Sequence, residues 1–195
     1  MAFLLTILKP LEWFNDWAGR IGRNLSVAAI AIMVIVILLQ VFFRYVLNNA
    51  LPWPDEAARF MMLWLTGLMA PVALRQGGMV AITGVLELFP APAVRIISIL
   101  LLCLSLLVLF IAAQLGWKHV NSGWLFSSSS LRLPLSIIGM KSQKLKLAWM
   151  YMSLFVGVCL MISVNVELIL RSFLSLMGGD DRLRPVPGTK MAEPT

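Results

Sequence analysis

Four stretches of the chain, Leu25 to Phe43, Phe60 to Leu74, Ile96 to Leu115 and Leu147 to Val166, are apolar and contain no Asp, Glu, Lys, Arg or His. At about 1.5 Å of rise per residue the first reaches roughly 28 Å, close to the ~30 Å hydrocarbon thickness of a bilayer. The pattern predicts four transmembrane helices. Phe60 to Leu74 is the shortest, and Ala57 and Ala58 extend it backwards provided that Arg59 snorkels or finds a partner. Two amphipathic patterns lie outside the spans. Phe3, Leu4, Ile7, Leu8, Leu11, Phe14 and Trp17 recur at helical spacing, which predicts an interfacial helix broken at Pro10. Met79, Ile82, Val85, Leu86 and Phe89 do the same ahead of Pro90 and Pro92, and predict a second surface-lying helix in mid-chain.

The connections complete an all-α integral membrane fold with a single transmembrane domain over residues 1–177. Gly116 to Lys146 is the longest connection and the least periodic; its serine run, Ser127 to Ser130, and Pro134 read as a loop. Beyond Arg171 the chain turns to Gly178-Gly179-Asp180-Asp181 and then Pro185, Pro187 and Pro194, so residues 178–195 are expected to form a disordered tail.

Composition agrees, since 60% hydrophobic and 13% charged residues are far from soluble averages. The net charge of +7 does not indicate nucleic acid, because the basic residues lie between and outside the apolar runs with no continuous basic stripe. Lys9, Arg20, Arg23, Arg75, Arg95, Arg171, Arg182, Arg184 and Lys190 fall on one side of the four spans. The smaller set, Arg44, Arg59, Lys118, Arg132, Lys141, Lys144 and Lys146, falls on the other. Both termini are therefore expected in the cytoplasm. Cys103 and Cys159 lie within spans and read as small core residues.

Catalytic templates fail. The single histidine, His119, beside Trp117 at a span end, reads as interfacial, and no HExxH, CxxC or Walker A sequence is present. No cofactor and no enzymatic activity are expected. Gly77-Gly78 reads as the end of the second helix, and Gly67 to Pro71 as a kink or a close helix contact. Nor do the apolar stretches hold an ionisable group, which a chain that moves an ion or charged solute unaided normally buries.

The densest signal surrounds the first turn. Phe43, Arg44, Tyr45 and Asn48 close the first span, while Trp53, Glu56 and Arg59 open the second, with Asp55 and Glu56 in the first helical turn after Pro54. Glu56 and Arg59, three apart, could form an ion pair on one helix face, and Arg44 could reach Asp55 or Glu56 across the hairpin. The string F-R-Y-x-x-N, then W-x-x-E-x-x-R, with Trp64, Gly67 and Arg75 after it, resembles the small, Q-type membrane subunit of tripartite ATP-independent periplasmic (TRAP) transporters. It is most specific from about Phe42 to Arg75. The chain departs from the pattern at Met79, where a histidine is frequent, and at Met152 to Phe155, where a proline is common.

The resemblance implies an accessory role. A periplasmic substrate-binding protein would deliver a solute, commonly an organic acid, to a complex of this chain with a large multi-span permease subunit. The large subunit would hold the solute and sodium sites while this chain acts as a fixed scaffold among membrane lipid. Phe43, Arg44, Tyr45, Asn48, Trp53, Glu56, Arg59, Trp64, Gly67 and Arg75 would then be signature or partner-interface residues. The alternative is an autonomous four-span, homodimeric exporter of drug-like cations, for which Glu167, at the end of the fourth span, is the candidate carboxylate.

Overall fold

A computed structural model describes residues 2–77, 91–133 and 143–177. Four long helices dominate them: α1 (Ala2–Tyr45), α2 (Trp53–Arg75), α3 (Ala91–Gly123) and α4 (Ala148–Leu176). All four are long and apolar enough to cross a membrane. The expected mid-chain surface helix, Met79 to Phe89, and the tail 178–195 lie outside the described residues.

The N-terminal amphipathic segment is helical, but no break falls at Pro10. It continues into the first span as one 44-residue helix, about 66 Å long. Tertiary packing overrides the proline, because Leu8, Glu12 and Asn15 are buried on either side of it. The amphipathic face is also used in an unexpected sense. Its polar residues Glu12 and Asn15 turn inward, whereas Trp13, Phe14 and Trp17 are exposed on the outer surface. Aromatic rings at this position suit a membrane–water boundary.

Packing centres on α4. It lies against α3, α2 and the N-terminal part of α1, and α2 lies between α1 and α4. Of the most apolar stretch of each helix, a third of α4 is buried, against 6% of α1 and none of α3. Beyond Ser26, no residue of α1 is buried. The outer half of α1 and most of α3 thus expose apolar side chains such as Ile35, Leu38, Leu100 and Leu107. Cys103 on α3 and Cys159 on α4 are free and exposed, and not the core residues their setting suggested. In a membrane, outward positions are as apolar as the interior, so hydrophobicity alone does not separate the two.

Small residues set the closest helix approaches. A Cβ built on Gly157 of α4 would stand 2.5 Å from the carbonyl oxygen of Gly67 and 2.8 Å from its Cα, so backbone meets backbone where α2 crosses α4. A Cβ on Gly67 would likewise collide with the Ser153 backbone. Gly67 is therefore a packing position, one of the two readings its sequence setting allowed. On the other side of α4, buried Asn165 donates from Nδ2 to Ser105 Oγ of α3 at 3.0 Å, a polar pin within the membrane layer.

The connection between α3 and α4 differs from the expected loop. Helix α3 runs on to Gly123, and the serine run begins a strand, β1 (Ser127–Leu133), that pairs antiparallel with β2 (Gln143–Lys146). Ser127 pairs with Lys146 and Arg132 with Lys144, so the register slips between Ser127 and Arg132. The slip is an irregularity of the bulge kind, which leaves Ser128 to Leu131 without a regular partner on β2.

Candidate functional site

Two polar assemblies stand at opposite ends of the helices. The first is built from α1, α2 and α4. Glu167 of α4 is completely buried, one residue beyond the apolar run that ends at Val166. Its Oε1 accepts hydrogen bonds from Arg75 Nη2 at 2.9 Å, Arg75 Nε at 3.2 Å and Arg171 Nε at 3.0 Å. Its Oε2 accepts from Asn15 Nδ2 at 2.7 Å, and Asn15 Oδ1 in turn accepts from Ser163 at 2.8 Å. Each guanidinium has a second carboxylate on α1: Arg75 pairs with Asp16 and Arg171 with Glu12.

Local sequence explains this geometry. Asn15 and Asp16 follow Glu12 by three and four residues on α1, and Ser163, Glu167 and Arg171 are four apart on α4, so each set lies along one side of its helix. Arg75 closes the third side from the last turn of α2, where Gly77 follows with φ +85°, a left-handed conformation that suits glycine and ends the helix as expected. Low dielectric makes these charge-assisted bonds strong, and makes each group costly to leave alone.

The expectation that no ionisable group is buried is therefore corrected. The apolar stretches are free of charge, but Arg75 and Glu167 are buried one residue past the ends of the second and fourth, and Glu12 is buried in the N-terminal segment ahead of the first. Arg75 was singled out in the sequence; Glu12, Asn15, Asp16 and Arg171 were not recognised as partners. The available signal was the helical spacing of the polar residues, Glu12, Asn15 and Asp16 within the N-terminal amphipathic segment and Glu167 and Arg171 one turn apart after the fourth run.

The second assembly surrounds Glu56. Here the expected ion pair with Arg59 is not formed. The Glu56 carboxylate instead sits against the irregular segment of β1, accepting from the hydroxyls of Ser128 and Ser129 and from the backbone N–H groups of Ser129, Ser130 and Leu131 at 3.3, 3.1 and 3.0 Å. Successive N–H groups converging on one carboxylate form an anion nest. It outcompetes a long, solvated arginine, and Arg59 is exposed. Arg44 stacks its guanidinium 5.8 Å from the centroid of the Tyr45 ring, with no ion pair to Asp55 or Glu56 among the described residues.

The remaining signature positions do not join one site. Asn48 holds a positive φ of 48° in the turn after α1, a conformation asparagine tolerates better than most side chains. Phe43 accepts at its carbonyl from Asn49 N–H in that turn, and Trp53 begins α2. Trp64 packs beside Phe60 at 6.3 Å between ring centroids, with a buried indole Nε1 that has no hydrogen-bond partner. His119 lies 6.1 Å from the Tyr151 ring at the end of α3, and no group of His, Cys, Asp or Glu suited to a metal is found among the described residues.

Four helices long and apolar enough to cross a membrane, with the buried charges among the described residues tied to one another, define an integral membrane protein with a paired polar core. Residues 33–175 match the family model described as tripartite ATP-independent periplasmic transporters, DctQ component, and the chain belongs to that family. It is the small membrane component of a TRAP transporter, a transport component and not an enzyme. A search among individual curated proteins returned no match. The matched segment holds Arg75, Glu167 and Arg171 but begins after Glu12, Asn15 and Asp16, so part of the buried cluster is supplied from outside it.

Proposed function

We propose that this chain is the scaffold subunit of a sodium-driven, binding-protein-dependent importer of organic acids in a bacterial inner membrane. It works beside a large multi-span permease subunit that carries the solute and sodium sites, and a periplasmic substrate-binding protein docks on the assembly. Both termini are cytoplasmic, which puts the Glu56 nest and the Arg44, Tyr45, Trp53 and Arg59 side chains on the periplasmic side. There, with Phe43, Asn48 and Trp64, they support the partner surface, while Gly67 and Arg75 hold the helices that present it.

One observation supports this reading above the others. The buried carboxylate that a carrier would need is Glu167, and both of its oxygens are engaged by Arg75, Arg171 and Asn15. A carboxylate neutralised by two guanidiniums is a poor shuttle for a proton or a cation. The same geometry disfavours the autonomous cation exporter.

The test is uptake in liposomes holding the large subunit and the sodium-motive gradient, with binding protein and solute outside. The expected result is loss of uptake when this chain is omitted and recovery when it is added back. Unchanged uptake without it would overturn the scaffold role, and transport by this chain alone, abolished by Glu167→Gln, would favour the exporter.

A further inference from the structure

Between α1 and α2, next to the buried ion cluster, lies a cavity of about 70 Å³. Counted at roughly 10–15 Å³ per water-sized group, it holds about five such groups, as many as the heavy atoms of a phosphate. Its mouth carries Arg20 and Arg23 of α1, both exposed and neither in an ion pair among the described residues. Arg75 in the wall is already held by Asp16 and Glu167. The floor is apolar, formed by Pro71, Val72 and Leu160 among others.

The charge balance is specific. Three carboxylates and two guanidiniums leave the neighbouring cluster with one residual negative charge, and Arg20 and Arg23 more than offset it. Asp16, which also lines the cavity, is held by Arg75, so the surroundings are net positive beside an apolar wall drawn from the spans of α2 and α4. An amphiphile with an anionic head fits both halves, and basic pockets between membrane helices are suited to phosphate head groups. Arginine adds planar, bidentate recognition of phosphate oxygens.

We infer that this cavity binds a phosphate group, with Arg20 and Arg23 as its ligands. The group can come from an anionic phospholipid or from phosphate in solution, and the apolar floor favours the lipid. The site is independent of the scaffold reading.

The test uses the full chain, purified in detergent and delipidated, with bound molecules counted by native mass spectrometry. Dioleoylphosphatidylglycerol, dioleoylphosphatidylcholine and inorganic phosphate are titrated separately. Retention of phosphatidylglycerol over phosphatidylcholine is expected, falling about 10-fold or more in Arg20→Gln/Arg23→Gln. Arg20→Lys/Arg23→Lys, which keeps the charge but not the bidentate fork, should bind between wild type and the double glutamine variant, and Lys9→Gln, which removes an exposed charge outside the cavity, should keep all of the binding. Binding of inorganic phosphate with the same arginine dependence, and no preference for phosphatidylglycerol, supports the phosphate site and assigns its source to solution. Three results would overturn the proposal: no binding of either, wild-type binding by the double glutamine variant, or an equal loss in Lys9→Gln.

Discussion

Replacing Arg75 by glutamine removes the only guanidinium that joins α2 to the buried cluster. In the native protein its side chain is 8% exposed and bonded to Glu167, which is 0% exposed, and to Asp16, which is 30% exposed. The variant leaves three carboxylates facing one guanidinium, a change from one excess negative charge to two in a region of low dielectric. Breaking a buried pair by removing one partner typically costs about 3–5 kcal/mol. Arg171 and Asn15 still bond Glu167, so a cost near 3 kcal/mol is expected. The second single variant, Glu167→Gln, keeps the shape and brings the cluster to neutrality, but it turns an amide N–H₂ toward donors; about 2 kcal/mol is expected from the buried groups left unsatisfied. If the two side chains act on one another, the double variant should cost at least about 1 kcal/mol less than the sum of the singles. The assay is reversible unfolding of the full chain in mixed micelles of mild detergent and dodecyl sulfate, followed by circular dichroism. Strict additivity, or a Glu167→Gln variant more destabilised than Arg75→Gln, would refute the account of the cluster as a charge-matched unit.

Three further outcomes are expected. Glu56→Gln should loosen β1, because an amide nitrogen would face the donors of Ser128 to Leu131; with hydrogen bonds to a charged group worth about 1.5–3 kcal/mol, amide exchange at residues 129–131 should accelerate by at least about 10-fold while α4 is unaffected. Gly157→Ala should cost about 1–3 kcal/mol in the same unfolding assay, since its methyl group would strike the Gly67 backbone and no side chain can yield; a stability equal to wild type would show that the helices do not cross so closely. Trp64→Phe should be tolerated within about 1 kcal/mol, because the indole N–H it removes has no partner, whereas Trp64→Ala should cost about 3–5 kcal/mol in thermal stability; similar losses in both would assign the N–H a bond.

The four spans were legible because hydrophobic length is a one-dimensional property. Phe60 to Leu74 reads as a span whatever it packs against, and the same holds for the helix start at Pro54 and the stop at Gly77. The family was legible too, from Phe43 to Arg75, because that signature is local in the chain. The buried cluster was not, since Arg75 lies 59 residues from Asp16 and 92 from Glu167. Nothing local marks them as neighbours. The Glu56 nest was missed for a related reason: Arg59, one turn away, offered a nearer partner than a serine run 72 residues on. The continuity of α1 through Pro10 could not be read either, because burial of Leu8 and Glu12 against other helices decides it.

Among the described residues, the fully buried positions of α1 lie between Leu8 and Ser26, and the nineteen residues on to Tyr45 are at most half-buried. Such a rod works like a tiller. From Asp16 to Arg44 is about 42 Å at 1.5 Å per residue, so a rotation of one degree at the buried end corresponds to roughly 0.7 Å at the tip, which the short turn to Trp53 passes on to α2. The Arg44 and Tyr45 end is thereby joined, through one continuous helix, to the ion pairs of Glu12 and Asp16 at the other end.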